Sequence, residues 1–236
     1  MNYRRFPTFC AAIAVFALGA CGSPEPEPTP TPTPTIAQPR TLVAADLDLA
    51  TLGAKIVGPQ GPEIETLLSA NSRQLGKMVS YVACPKDVEE CKPGEMPEGT
   101  IYTYVHTITL AEAETNPADA QPTDGPEVVE APPTLFRTTR AAAGFNRAVG
   151  YSREQAEAAL GAADAITVTA DGGQLIWRVT KSEGWKPGAP ITFWWQSTLP
   201  PAGPDEAYLV EIDGNQTTAS GPFPPEETPA EGTGAN

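Results

Sequence analysis

The feature that most constrains the fold is the alternation of apolar and polar residues between positions 166 and 198. Residues 166–170, 174–180 and 191–198 each place their apolar side chains on one face, as expected for half-buried strands. Asp171-Gly172 separates the first two segments and is typical of a tight hairpin turn. We therefore predict an antiparallel meander of three strands that face one core.

Four further segments are rich in β-branched and aromatic residues and predict additional strands. They begin at Met78, Thr100, Leu135 and Ala207. About seven short strands separated by turn signals predict a mainly β protein. We expect an antiparallel β-sandwich-like domain or domains with one or two short helices.

Two segments predict short helices. Ser152 and Gln155 match a capping box, and Gly161 suits the far end of a helix over residues 153–160. Residues 62–70 open with proline, carry acidic residues early and place apolar side chains at helical spacing. This pattern favours a second short helix.

The first twenty residues have the parts of a secretory signal. Arg4 and Arg5 form a basic start, residues 9–17 form an uncharged apolar core, and Leu18-Gly19-Ala20 is a small-residue cleavage site before Cys21. The apolar run is too short to span a bilayer as a stable helix. Leu18-Gly19-Ala20-Cys21 resembles the lipobox of bacterial lipoproteins, with Gly19 as a variant at its position.

The lipobox resemblance implies that Cys21 is modified with diacylglycerol and becomes the mature N-terminus, usually with a further N-acyl chain such as palmitate. Several acyl chains, each gaining about 0.8 kcal/mol per buried methylene, would anchor the domain in the membrane. Cys10 would be discarded with the signal. By analogy with Gram-negative lipoproteins, position 22 carries glycine (Gly22) rather than the aspartate associated with inner-membrane retention, which favours the outer membrane. Which leaflet or face of that membrane the protein occupies stays open.

Composition divides the chain further. The formal net charge of −14, without a basic run, argues against nucleic-acid binding, and 27 prolines and 21 glycines indicate long irregular segments. The predicted segments are a signal peptide at 1–20, a lipidated cysteine and Pro-rich tether at 21–40, an N-terminal β-rich part at 41–110, an acidic Pro-rich loop or linker at 111–134, a C-terminal β-meander part at 135–220 and a disordered tail at 221–236. Whether the two β-rich parts form one domain or two stays open.

Two cysteines would remain free once the signal is removed and Cys21 is lipidated. Cys84 and Cys91 are expected to form a disulfide that closes a short loop, because disulfides persist outside the cytoplasm. The alternative is a metal site built from both thiolates and His106, but that spacing matches no zinc pattern. We therefore expect no metal and no cofactor.

Catalysis has weak support in the sequence. His106 is the single histidine, so a Ser-His-Asp hydrolase would need it as the base, and no serine lies in a Gly-x-Ser-x-Gly motif. A two-carboxylate glycosidase stays open because acidic residues are plentiful. We expect a non-enzymatic protein, with an envelope hydrolase acting on glycan or peptide as the alternative.

A candidate binding surface combines aromatic and basic residues. If Phe193 and Trp195 point inward, Trp194 points outward and could stack on a sugar ring or an apolar partner, with Trp185 in the preceding loop beside it. The alternative is that Trp194 packs under the loop of Trp185 or under residues 62–70.

A local excess of arginine supplies the basic part of this surface. Arg137, Arg140 and Arg147 lie in a stretch without acidic residues and could recognise phosphate or carboxylate on an envelope polymer. The alternative is pairing with the acidic loop before them. The sequence thus predicts a lipid-anchored binding or structural module with an envelope polymer or protein as partner; a third reading is an accessory lipoprotein of an outer-membrane assembly.

Overall fold

Two β-sheets packed face to face make up the part of the chain that the computed structural model describes, namely residues 38–112, 134–182 and 184–226. The mainly β, sandwich-like fold class predicted from the sequence is confirmed. The strands are β1 (Arg40–Leu42), β2 (Ala45–Asp46), β3 (Leu52–Lys55), β4 (Ile64–Ala70), β5 (Arg73–Pro85), β6 (Tyr102–Leu110), β7 (Leu135–Thr138), β8 (Phe145–Tyr151), β9 (Ile166–Asp171), β10 (Gln174–Val179), β11 (Pro190–Ser197), β12 (Gly203–Ile212) and β13 (Asn215–Phe223).

Helical structure in the described residues is limited to one α-helix and two short 3₁₀ turns. The α-helix α1 spans Arg153–Leu160, and the 3₁₀ turns span Leu49–Thr51 and Pro93–Glu95. None of these helices is long and apolar enough to cross a membrane within the described part of the chain.

Strands from both β-rich parts of the sequence share each sheet. Sheet A has the order β1-β9-β10-β7-β12-β13, and sheet B has the order β2-β8-β11-β6-β5-β3 with β4 also paired to β5. The pairs are antiparallel except for β2 with β8. Because β6 lies directly beside β11, residues on the two sides of 113–133 build one sandwich in the described chain.

The predicted meander is wrong in its third strand. β9 and β10 form the expected hairpin, with Asp171 opposite Gln174 and Gly172-Gly173 as the turn, one residue later than predicted. β11 instead lies in sheet B between β8 and β6. Its apolar face still points to the shared core, but from the opposite side, which alternation alone cannot distinguish.

The predicted helix over residues 62–70 is also wrong, because this segment forms the edge strand β4. Ile64, Thr66 and Leu68 alternate toward the interior, and Leu68 is fully buried. The same apolar residues satisfy helical spacing, so pairing with the long strand β5 decides the conformation.

The helix α1 follows its sequence signals. The Ser152 hydroxyl oxygen accepts a hydrogen bond from the Gln155 amide at 3.3 Å, and Gly161 ends the helix with a left-handed φ of 87°. Only half of a capping box forms, because the Gln155 side chain accepts instead from the Thr192 amide on β11, at 2.7 Å. This bond fixes the helix on sheet B.

The predicted disordered tail begins too early in the sequence. The short strands β1, β2 and β3 were not predicted individually. β13 runs to Phe223, so residues 221–223 belong to sheet A rather than to a disordered tail. β1, β2 and β3 are too short to show a period in residues 40–55. The signal segment, Cys21, most of the tether and residues 227–236 lie outside the described residues.

Aromatic side chains fill the space between the sheets. Trp195 stacks on Tyr104 with ring centroids 4.3 Å apart. Phe136 from sheet A packs against Trp177, with ring centroids 5.2 Å apart. The Trp177 indole Nε1 donates a hydrogen bond to the Gly150 carbonyl at 2.9 Å, which joins β10 of sheet A to β8 of sheet B. Close packing of the rings and this hydrogen bond therefore hold the two sheets in a fixed position relative to each other.

The two ends of the sandwich carry different elements. We call the end with the Gly172–Gly173 turn the turn pole and the end with α1 the helix pole. Gly173 accepts a hydrogen bond from the Ala142 amide just before β8 begins, and β8 then runs away from this turn into α1. Arg40 pairs with Ala170 beside the turn, so the described chain begins at the turn pole.

Candidate functional site

The residues predicted to form one binding surface do not come together. Trp194 and Arg147 lie in sheet B, Arg137 lies in sheet A, and Trp185 and Arg140 lie in loops. Each of these side chains has its own local surroundings.

Trp194 points to the outer face of sheet B, as the alternation predicts, but it is buried. Only 8% of the residue is exposed, and Val105, its partner on β6, is fully buried on the same outer face. The indole Nε1 is buried without a hydrogen-bond partner among the described residues. Trp194 is therefore a packing residue in this conformation, and an open stacking platform is not present.

The chain between β2 and β3 also approaches the outer face of sheet B. β2 lies at one edge of this sheet and β3 at the other, and residues 47–51 connect them. Leu47 and Leu49 line a cleft together with Thr192, whose side chain lies on that outer face.

Trp185 is a half-buried support for the core. Its indole Nε1 donates to the Ala189 carbonyl at 2.8 Å, and its ring lies 6.3 Å from that of Phe193. Both contacts close the loop that leads into β11. The residue has little free surface for a ligand.

The three arginines have separate roles. Arg140 pairs with Asp205 at 2.5 Å and lies over the ring of Phe223, 4.6 Å from its centroid. Arg137 on β7 donates to Gln174 on the neighbouring strand. Arg147 is exposed, with a left-handed φ of 77°, where β8 bulges against β11. The structure therefore does not gather them into a basic island.

His106 lies at the centre of the sandwich. It is fully buried, its Nδ1 lies 2.9 Å from the Ser80 hydroxyl oxygen, and its ring packs 4.2 Å from that of Tyr208. Burial lowers the pKa of His106 to about 3, so the imidazole is neutral at physiological pH. Since Ser80 is also fully buried, this serine–histidine pair has no access to a substrate.

Cys84 and Cys91 form the predicted disulfide, which is confirmed. It closes the loop at the end of β5, and β5 and β6 are antiparallel neighbours as expected. With both thiols bonded and His106 in the core, the alternative metal site is not formed. Groups of three or more metal-ligating side chains are also absent elsewhere in the described ranges.

A cleft of about 370 Å³ at the helix pole is a candidate site that sequence reasoning missed. It lies between residues 47–49, the first turns of α1 and the start of β11. Leu49 at its rim is 63% exposed. The lining residues are Leu47, Leu49, Ser152, Glu154, Gln155, Ala158, Ala189, Pro190 and Thr192.

The mouth of this cleft is acidic. Glu154 is exposed and makes no ion pair among the described residues, and Asp46 and Asp48 flank the lining leucines. The two nearby cations, Arg153 and Lys186, donate to backbone carbonyl oxygens rather than to these carboxylates. The capping signal at Ser152 indicated in the sequence where one wall of the cleft forms. No local pattern indicated that residues 47–49 would form another wall.

Comparisons with models of protein families, with curated proteins and with solved structures gave no significant match to this chain.

Proposed function

We propose that this chain is a lipid-anchored bacterial envelope protein whose β-sandwich serves as a non-enzymatic binding or structural module. The observation that carries the proposal is the sequence Leu18-Gly19-Ala20-Cys21 after a basic start and an apolar core. Lipid on Cys21 would supply the membrane attachment, since the net charge of −14 would repel anionic headgroups. The outer membrane is the favoured location.

Two features of the described domain support a role outside the cytoplasm without catalysis. The Cys84–Cys91 disulfide suits an oxidising compartment. The single histidine is fully buried in the core, so it cannot serve as a general base for an external substrate. The domain would therefore act through its surface.

Metabolic labelling with an alkyne-bearing fatty acid, followed by detergent phase partition, tests the lipid anchor. The full chain should incorporate label and enter the detergent phase, and Cys21→Ser should do neither. Cys10→Ser is the matched control, because Cys10 lies within the discarded signal core and its variant should remain labelled. Label that persists in Cys21→Ser, or is absent from the unaltered chain, would contradict the proposal.

A further inference from the structure

We propose that the cleft at the helix pole docks a short peptide that carries a primary ammonium group and small aliphatic side chains. The inference deepens the proposed function, on which it rests, by naming the chemistry of a partner for the displayed domain. It concerns residues 47–49, 152–158 and 189–192, all of which the structure describes.

The walls of the cleft select small apolar groups. Leu47 and Leu49 come from the segment between β2 and β3, and Pro190 lines the cleft from the start of β11. A volume of about 370 Å³ lies at the small end of the range for ligand sites. The cleft therefore suits a short segment with alanine-sized side chains better than a bulky aromatic ligand.

The charge at the mouth selects a cation. Glu154 lines the cleft without an ion-pair partner among the described residues, and the flanking Asp46 and Asp48 add negative potential. Asp46 and Asp48 each accept backbone amide hydrogen bonds through Oδ1, whereas Glu154 is the carboxylate that itself lines the cleft. A primary ammonium would pair with it, while an anionic ligand would be repelled.

Polar groups on the floor can orient a peptide backbone. The Gln155 side-chain amide is held by the bond from the Thr192 amide to its Oε1, and its Nε2 has no partner in the described chain. The Ser152 hydroxyl already accepts from the Gln155 amide and retains its own proton as a donor. The two donors, from Gln155 and Ser152, match carbonyl oxygens of a short cationic peptide. The Glu154 carboxylate beside them matches its ammonium group.

The cleft lies away from the point where the described chain enters the sandwich. The described chain begins at the turn pole, with Arg40 paired to Ala170, and the cleft lies at the opposite, helix pole. A partner could approach the helix pole without passing the point where the chain enters the sandwich.

Amide chemical shifts measured by NMR during a peptide titration test this inference. Residues 38–236 contain every described strand and the whole core, so this segment is the protein used. The probe is the capped tripeptide Ala-Lys-Ala, with Ala-norleucine-Ala as the uncharged analogue of equal length. Glu154→Gln removes the carboxylate, and Glu157→Gln, on the same helix but outside the cleft, is the matched control.

The lysine peptide should shift the amides of Gln155, Ala158 and Thr192 in a saturable way. Glu154→Gln should weaken its binding about three- to five-fold and reduce its advantage over the norleucine peptide by the same factor, as expected for one exposed ion pair. Glu157→Gln should change neither.

Three results would overturn the inference: no saturable shift at millimolar peptide, equal binding of both peptides, or equal effects of the two variants. Because the lipid label on Cys21 is measured on the full chain, failure here is distinguishable from failure of the anchor.

Discussion

Acidification should destabilise this fold through His106. The imidazole is fully buried, packed against Phe136 and Tyr208, and its Nε2 has no hydrogen-bond partner among the described residues. Protonation would place a charge in the core with no carboxylate facing it. Tyr208 is the ionisable group packed nearest to it, and burial raises the pKa of Tyr208 well above its usual value, so that residue stays neutral.

The size of the effect follows from the two pKa values of His106. The pKa is about 3 in the folded chain, against an ordinary value of 6.5. A lowered pKa means that the unfolded state binds the proton first, so stability is complete above about pH 6.5 and falls as the pH drops toward 3. Between about pH 7.5 and about pH 4.5, the loss from this group is about 2–3 kcal/mol.

Urea denaturation followed by tryptophan fluorescence measures this loss, with His106→Asn as the matched variant. Asparagine is neutral throughout, so its own cost is independent of pH. The free energy of unfolding of the unaltered chain minus that of the variant should therefore shrink by about 2–3 kcal/mol over the acid range. A difference that stays constant within about 0.5 kcal/mol across that range would refute the reasoning.

Three further predictions concern stability. Replacing both Cys84 and Cys91 by serine should cost about 2.5 kcal/mol in urea denaturation, because the short disulfide-closed loop no longer restricts the unfolded chain; unchanged stability would contradict this. Gly150→Ala should cost about 1–3 kcal/mol, since its Cβ would lie 1.8 Å from the Ala45 carbonyl oxygen, and hydrogen exchange should accelerate at β2. Arg147→Gly should stabilise the chain by about 1 kcal/mol, because its φ of 77° suits glycine, and a lower thermal midpoint would count against that account.

Strands and caps were predictable where one local signal sufficed. The residue types over β5, β6, β9 and β10 favour strands, and the Ser152 and Gly161 caps bound α1 correctly. The strand at Ile64–Ala70 was not predictable, because its apolar residues fit both the helical and the strand period. Only the pairing with β5 decides between the two conformations. The sheet assignment of β11 is equally non-local.

The candidate site depended on contacts that no single stretch encodes. Alternation placed Trp194 on the outer face correctly, but its burial depends on contacts outside β11 that alternation does not encode. The Cys84–Cys91 disulfide was predictable because the expected signal removal and lipidation of Cys21 leave only one pair of free cysteines. The cleft joins segments more than a hundred positions apart in the sequence, so periodicity and motifs carry no signal for it.

Mass spectrometry of the N-terminal peptide of the mature protein, purified from membranes, tests the central claim most directly. The account predicts that the mature chain begins at Cys21 and that this residue carries a diacylglycerol group, with or without an added N-acyl chain. A mature chain that begins elsewhere, or an unmodified Cys21 thiol in the membrane-purified protein, would contradict the claim that this β-sandwich is displayed on a lipid anchor.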